Sequence, residues 1–322
     1  MVFTERVLGH EKVESLLVEV IKRNKIFPVW IFSGPFGVGK STVAREFAKC
    51  ILSGTVPNDS LCVDPLNPVH KLVELRTHPD FFILEQGGES SSIEDTREIM
   101  LKIRKTPSLS KWRVMILEGS ANFNKNICNS MLKILEEPPR NTVIILICNH
   151  TGMLPDTLLS RAAQINFYPL DIFLVKRVLD AMKKKNAEKL AQLSCGSVGY
   201  ALSLSNNNGI EIYQNILRGF LPNEQNKALR YIIDNHICDN FDIVKTNLQR
   251  ILKIYVDLLN DLPVTNALNE ITILKSIASS RKSKKAHEMK KISEMFYIIN
   301  ICEPMNLDRN TVIASVFERF FN

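Results

Sequence analysis

The chain has 322 residues, 45% of them apolar and 23% charged, with 13 Gly, 14 Pro and a formal net charge of +7. That length supports two or three cores at roughly 100–200 residues each, and the composition excludes a collagen-like, repeat-built or largely disordered chain. The positive surplus is spread as 20 basic against 18 acidic residues over 1–168 and 21 against 16 over 169–322, compatible with contact to nucleic acid without establishing it.

The opening MVFTERVLGHEKVE is charged from the fifth residue and lacks the apolar stretch of a secretory signal. Val143–Cys148, among the longest apolar runs, falls far short of the roughly 18 residues a bilayer-spanning helix needs. A cytoplasmic protein without a membrane segment is the expectation. In chain order, Val29–Ser33, Phe81–Glu85, Val114–Glu118, Thr142–Ile147 and Gln164–Phe167 read as buried strands alternating with helical patterns. That alternation predicts an α/β domain with a parallel sheet over residues 1–168. Beyond Tyr168-Pro169 the pattern turns helical, with a short unit over 169–208 and a break at Asn206-Asn207-Asn208-Gly209. Phe241, Val244, Leu248, Ile251, Leu252, Tyr255, Leu258 and Leu259 then fall at steps of three and four, so an all-helical bundle is expected over 209–322. The basic run Arg281-Lys282-Ser283-Lys284-Lys285 reads as a solvated loop.

The seven cysteines (Cys50, Cys62, Cys128, Cys148, Cys195, Cys238, Cys302) are odd in number and never spaced as C-x-x-C, which points to reduced thiols. Cys50, Cys62, His70 and His78 are the one candidate zinc set, and no zinc is expected there, because a small buried thiol beside a loop explains the same residues.

Gly34-Pro35-Phe36-Gly37-Val38-Gly39-Lys40-Ser41 follows the first strand and fits G-x-x-x-x-G-K-[ST] in full. In such a loop the glycines let backbone N–H groups turn toward a polyphosphate, the lysine neutralises its outer phosphates and the hydroxyl can ligate Mg²⁺. Ala44, Phe47, Ala48 and Ile51 give the next helix an apolar face, so its positive end points at the phosphates. ATP with Mg²⁺ is the cofactor this implies, with Gly34, Gly37, Gly39, Lys40, Ser41 and Thr42 as binding residues. The alternative is a loop that folds in the same way and stays empty.

Several motifs carry a resemblance to one family: Val7-Leu8-Gly9-His10-Glu11, the phosphate loop, His78-Pro79-Asp80, and Asn129-Ser130-Met131-Leu132-Lys133-Ile134-Leu135-Glu136-Glu137-Pro138-Pro139. The last is very close to N-A-L-L-K-x-L-E-E-P-P. Leu158-Leu159-Ser160-Arg161 is similar to an S-R-C motif, with Ala162 in place of cysteine. Together they resemble the clamp-loader subunits of the AAA+ class, the subunits that accompany bacterial DNA polymerase III. The resemblance implies an AAA+ domain, a small helical lid (169–208) and a collar bundle (209–322). It further implies gamma/tau and delta subunits as partners, and the sliding clamp and primer-template DNA reached through the complex. Arg161 would be a finger supplied in trans to a neighbour's ATP, the alternative being an arginine that ties a loop to the sheet; Glu118 would stand near the metal or else be a solvated strand-end carboxylate, and Asn149 would stand where relatives keep a γ-phosphate sensor. Two positions depart from the motor pattern. Gly119 replaces the water-activating acid, and Gly199, in Gly196-Ser197-Val198-Gly199-Tyr200-Ala201-Leu202, replaces the arginine of G-S-x-R-D-A-L. These departures point to a delta-prime-like stator with no hydrolysis of its own. An active gamma/tau-like motor is the alternative, with an unrelated P-loop kinase more distant. The family's zinc cysteines are reduced here to Cys50 and Cys62.

Overall fold

A computed structural model describes residues 8–85, 98–99, 101–119, 134–135, 137–235, 237, 241–264, 270–302 and 305–321. The chain divides into two compact units, Met1–Lys183 with Cys195–Gly199, and Lys184–Ser194 with Tyr200–Asn322.

Among the described residues the first unit is built on five strands, β1 (Val29–Ser33), β2 (Phe81–Glu85), β3 (Arg113–Glu118), β4 (Thr142–Cys148) and β5 (Ala163–Asn166). They are parallel throughout and ordered β2-β3-β4-β1-β5. The apolar runs forecast all five, with ends displaced by at most one residue. Both faces of the sheet are covered, which is why its strands read as continuous apolar runs instead of alternating ones. Along β1, Trp30 and Phe32 enter one core with Phe47, Val114 and Ile145, while Val29 and Ile31 enter the other with Met115, Leu117 and Ile144.

Helices α1 (Glu11–Lys22), α2 (Lys40–Ser53), α3 (Pro68–Glu74), α4 (Asp156–Leu159) and α5 (Ile172–Ala181) belong to this unit. α2 ends on Gly54 in the left-handed conformation, a common helix stop. Asn67 caps α3 by accepting from the Val69 N–H, with Pro68 at the first helical position. Asp171 caps α5 through the Phe173 N–H at 2.8 Å.

The second unit is helical: α6 (Ala187–Leu193), most of α7 (Val198–Asn206), α8 (Gly209–Arg218), α9 (Gln225–Asp234), α10 (Phe241–Leu259), α11 (Glu270–Arg281), α12 (Lys285–Ile301) and α13 (Arg309–Phe321). The apolar stripe that predicts a helix from Phe241 to Leu259 is α10, which packs against α8, α11 and α12. The expected break at 206–209 is a tight turn. Asn208 has φ 50°, and a Cβ on Gly209 would lie 2.7 Å from the Leu204 Cα. The basic run 281–285 is not a loop: Arg281 ends α11, Lys282–Lys284 form a 3-10 turn and Lys285 opens α12. Arg281 is half-buried, donates to the Phe320 carbonyl at 2.5 Å and pairs with Glu288 at 3.3 Å; Lys282, Lys284 and Lys285 are exposed.

Candidate phosphate-binding site

Parallel strands bring their C-terminal ends to one edge, and ligands of open α/β sheets bind there. At that edge β1 passes through Gly34–Gly39 into α2. Lys40 opens α2 and is buried. Its Nζ donates to the Gly34 carbonyl at 2.5 Å, the Pro35 carbonyl at 2.7 Å and Asn149 Oδ1 at 3.3 Å. Burial pushes the ammonium's pKa down, against the opposing pull of Cys148 and Glu118. Ser41 Oγ donates to Glu118 Oε1. Lys40, Ser41, Glu118 and Asn149 therefore converge from the ends of β1, β3 and β4. Thr42 is exposed on the first turn of α2.

The donor set suits a Mg²⁺-bound polyphosphate. It offers an ammonium, a hydroxyl beside a carboxylate and a loop of N–H groups leading into a helix, which together supply charge neutralisation and metal ligation. Next to Glu118, Gly119 has φ 75° and its N–H is tied to the Ile147 carbonyl at 3.1 Å. It offers no side chain with which to polarise water.

The outer turn of the loop has three further contacts that sequence reasoning missed. Ser197 Oγ donates to the Phe36 carbonyl at 2.9 Å, the Gly199 N–H to the Gly37 carbonyl at 2.9 Å, and His10 Nε2 lies 2.7 Å from the Val38 carbonyl. A carbonyl only accepts, so His10 carries its proton on Nε2. The His10 ring also packs edge-on against Phe167, centroids 4.9 Å apart. A Cβ on Gly37 would meet Ser197 Oγ at 2.4 Å, and one on Gly199 would meet the Gly37 Cα at 2.7 Å. The two glycines thus form a backbone-on-backbone seam at the position where the resemblance places an arginine. The signal for this was in Gly9-His10 and Gly196-Ser197, read only as motif letters.

Arg161 lies elsewhere. It follows α4 and precedes β5, is exposed, and its N–H bonds the Leu158 carbonyl at 3.1 Å. β5 begins two residues later, with Ala163 in register with Trp30, near the start of β1, so Arg161 sits in the turn that leads into β5 and not on the loop that follows β1.

The zinc candidates do not gather. His70 Nε2 lies 3.3 Å from Lys49 Nζ, and His78 accepts from the Asp80 N–H at 3.1 Å and faces Ser110 Oγ at 3.3 Å. Burial pushes the Cys50 thiol up to about 12. Among the described residues no group of three His, Cys, Asp or Glu could hold a metal ion. Of the Asn129–Pro139 motif, 129–133 and 136 lie outside the described residues, as do Val7, Cys128 and Cys238; Ile134 and Leu135 are buried.

The profile of the family described as "DNA polymerase III, delta subunit" matches residues 9–171. DNA polymerase III subunit tau/gamma of Haemophilus influenzae is 28% identical over 210 residues, covering 62% of this chain and 30% of that protein. The delta' subunit of Bacillus subtilis is 28% identical over 200 residues, 61% of this chain and 59% of its own. The gamma subunit of Buchnera aphidicola subsp. Baizongia pistaciae is 26% identical over 314 residues, 90% and 82% of the two chains. The match thus spans about a third of the length of the tau/gamma relative. Among solved structures, a gamma subunit-related protein of Thermotoga maritima aligns with 94% of this chain and 98% of its own at 16% identity and a TM-score of 0.46.

Proposed function

The chain belongs to the DNA polymerase III, delta subunit family, the clamp-loader side of that polymerase, and from that membership we propose that it acts as a delta-prime-like stator. In this reading it assembles with gamma/tau and delta subunits, grips ATP with Mg²⁺ through Gly34–Thr42, Glu118 and Asn149 without cleaving it, and supplies Arg161 to the nucleotide of the neighbouring motor subunit. The complex would place the sliding clamp on primed DNA. Residues 1–168 would be the AAA+ body, 169–208 the lid and 209–322 the collar.

One observation carries the proposal: a complete phosphate grip ends at Gly119, where hydrolysis needs a water-positioning group. Lys40 can neutralise phosphate oxygens and Ser41 with Glu118 can orient a metal's ligands, yet nothing at residue 119 can take a proton from water. Bound Mg²⁺ would supply charge for holding the phosphates. Arg161, exposed in the turn before β5, would be offered to a neighbouring subunit's nucleotide, where an arginine can offset charge developing on the transferred phosphoryl group, an effect worth about 10³–10⁵ in other systems.

The test is reconstitution with the motor subunits carrying Arg161→Ala. Assembly is expected to be normal and the DNA- and clamp-stimulated ATPase to fall about tenfold or more. An intact assembly with a rate within about twofold of wild type would overturn the role.

A second reading, an active motor subunit, is favoured by the gamma-subunit match over 90% of this chain. It predicts single-turnover ATP hydrolysis by the isolated chain, abolished by Lys40→Ala.

A further inference from the structure

The three contacts on the outer turn of the phosphate loop fall on consecutive carbonyls, those of Phe36, Gly37 and Val38. None of the described peptide bonds is cis, and in a planar trans peptide the C=O and the N–H point in opposite directions. A donor that fixes the Phe36 carbonyl therefore also aims the Gly37 N–H to the other side. The same holds for the Gly37 carbonyl with the Val38 N–H, and for the Val38 carbonyl with the Gly39 N–H. With Gly37 and Gly39 at φ 71° and 110°, successive N–H groups turned away from these donors can form the concavity that receives an anion, and donation to each carbonyl polarises its peptide so that the N–H becomes a better donor.

We propose that His10, Ser197 and Gly199 are positioning residues that hold the phosphate loop in its anion-receiving curvature before any ligand arrives. This rests on the nucleotide-binding reading of the same loop and deepens it. The three donors come from well-separated stretches: the turn before α1, the loop before α7, and the first turn of α7. Gly199 acts through its backbone N–H, one of the unpaired donors at a helix start, which goes to the loop instead of to a phosphate. The seam also explains why residue 199 is glycine. Any side chain there would have its Cβ 2.7 Å from the Gly37 Cα, so an arginine at 199 and this approach of the 199 backbone to the loop exclude each other. Binding would thus depend on a loop already set in place, with no arginine from 199 reaching across to sense the ligand.

The test uses the full chain and two readouts: Mg–ATP affinity by calorimetry, and hydrogen exchange of peptides covering residues 34–41 without ligand. Ser197→Ala and His10→Phe, which keeps a ring against Phe167, should each weaken ATP about five- to tenfold, the worth of one net hydrogen bond or slightly more, and should speed exchange in 34–41. His10→Gln restores a side-chain N–H donor and should return both readouts toward wild type. Lys40→Ala should abolish binding while leaving exchange of the outer turn largely unchanged. If wild type binds ATP and the Ser197 and His10 variants stay within twofold with unchanged exchange, the positioning role is overturned and the nucleotide reading stands. If wild type binds no ATP, the nucleotide reading falls, and exchange alone decides: faster exchange in Ser197→Ala and His10→Phe with recovery in His10→Gln supports the positioning role, and no change overturns it.

Discussion

Asp80 is fully enclosed, and its carboxylate accepts from the backbone N–H groups of Ser108 and Leu109, each at 2.7 Å, and of Ser110 at 2.9 Å, with Arg113 at 3.3 Å. Arg113 in turn donates to the carbonyls of Lys102, Lys105 and Thr106. Burial alone would raise the Asp80 pKa, but the Ser110, Leu109 and Ser108 N–H groups and Arg113 outweigh it and hold the carboxyl below its ordinary range. The unfolded chain therefore takes up the proton first. Asp80 contributes stability that is fully present above an ordinary aspartate pKa of about 3.9 and is lost as pH falls through the lower folded value. Asp80→Asn should cost about 3 kcal/mol in urea unfolding at pH 7, because it leaves a buried guanidinium without its counter-charge. It should also flatten the acid limb of the stability profile. A loss below about 1 kcal/mol, or an unchanged acid limb, would contradict this account. Sequence showed Asp80 only as part of His-Pro-Asp, since its main partners are backbone amides and those have no letter of their own.

At the scale of elements, the strands and α10 were legible because burial on both faces or on one stripe leaves a direct mark on residue order. The phosphate loop was legible because its glycines and lysine are consecutive. The cradle around that loop was not, because His10 and Ser197 stand 28 and 161 residues from their partner carbonyls. Arg281 misled for a similar reason, since the Phe320 carbonyl that holds it is 39 residues away. The end of β3 carries its own prediction. Gly119 sits at φ 75°, a conformation that costs a residue with a Cβ about 1 kcal/mol or more. Gly119→Glu should therefore lower stability by about 1–2 kcal/mol without conferring hydrolysis, as measured by single-turnover ATP cleavage in the isolated chain. A rate tenfold above background would show that only the acid was missing.

For the whole molecule, the proposal separates two sites on one chain, and the corresponding variants should separate in the same assay. In the reconstituted complex, Lys40→Ala should leave assembly normal and reduce stimulated ATPase far less than Arg161→Ala does; equal losses would mean that this chain's own nucleotide is being turned over. Nothing in composition or charge anticipated that separation, which rests on the phosphate loop and Arg161 lying on different connections, one after β1 and one before β5. On the proposed roles, a loop that holds nucleotide and an arginine offered elsewhere also give the protein a direction. A two-fold partner would set arginine against arginine and give neither a motor subunit's nucleotide to serve. On these roles its neighbours must queue in a single sense, as carriages couple front to back, and a chain that accepts no arginine in return would stand at one end of the train.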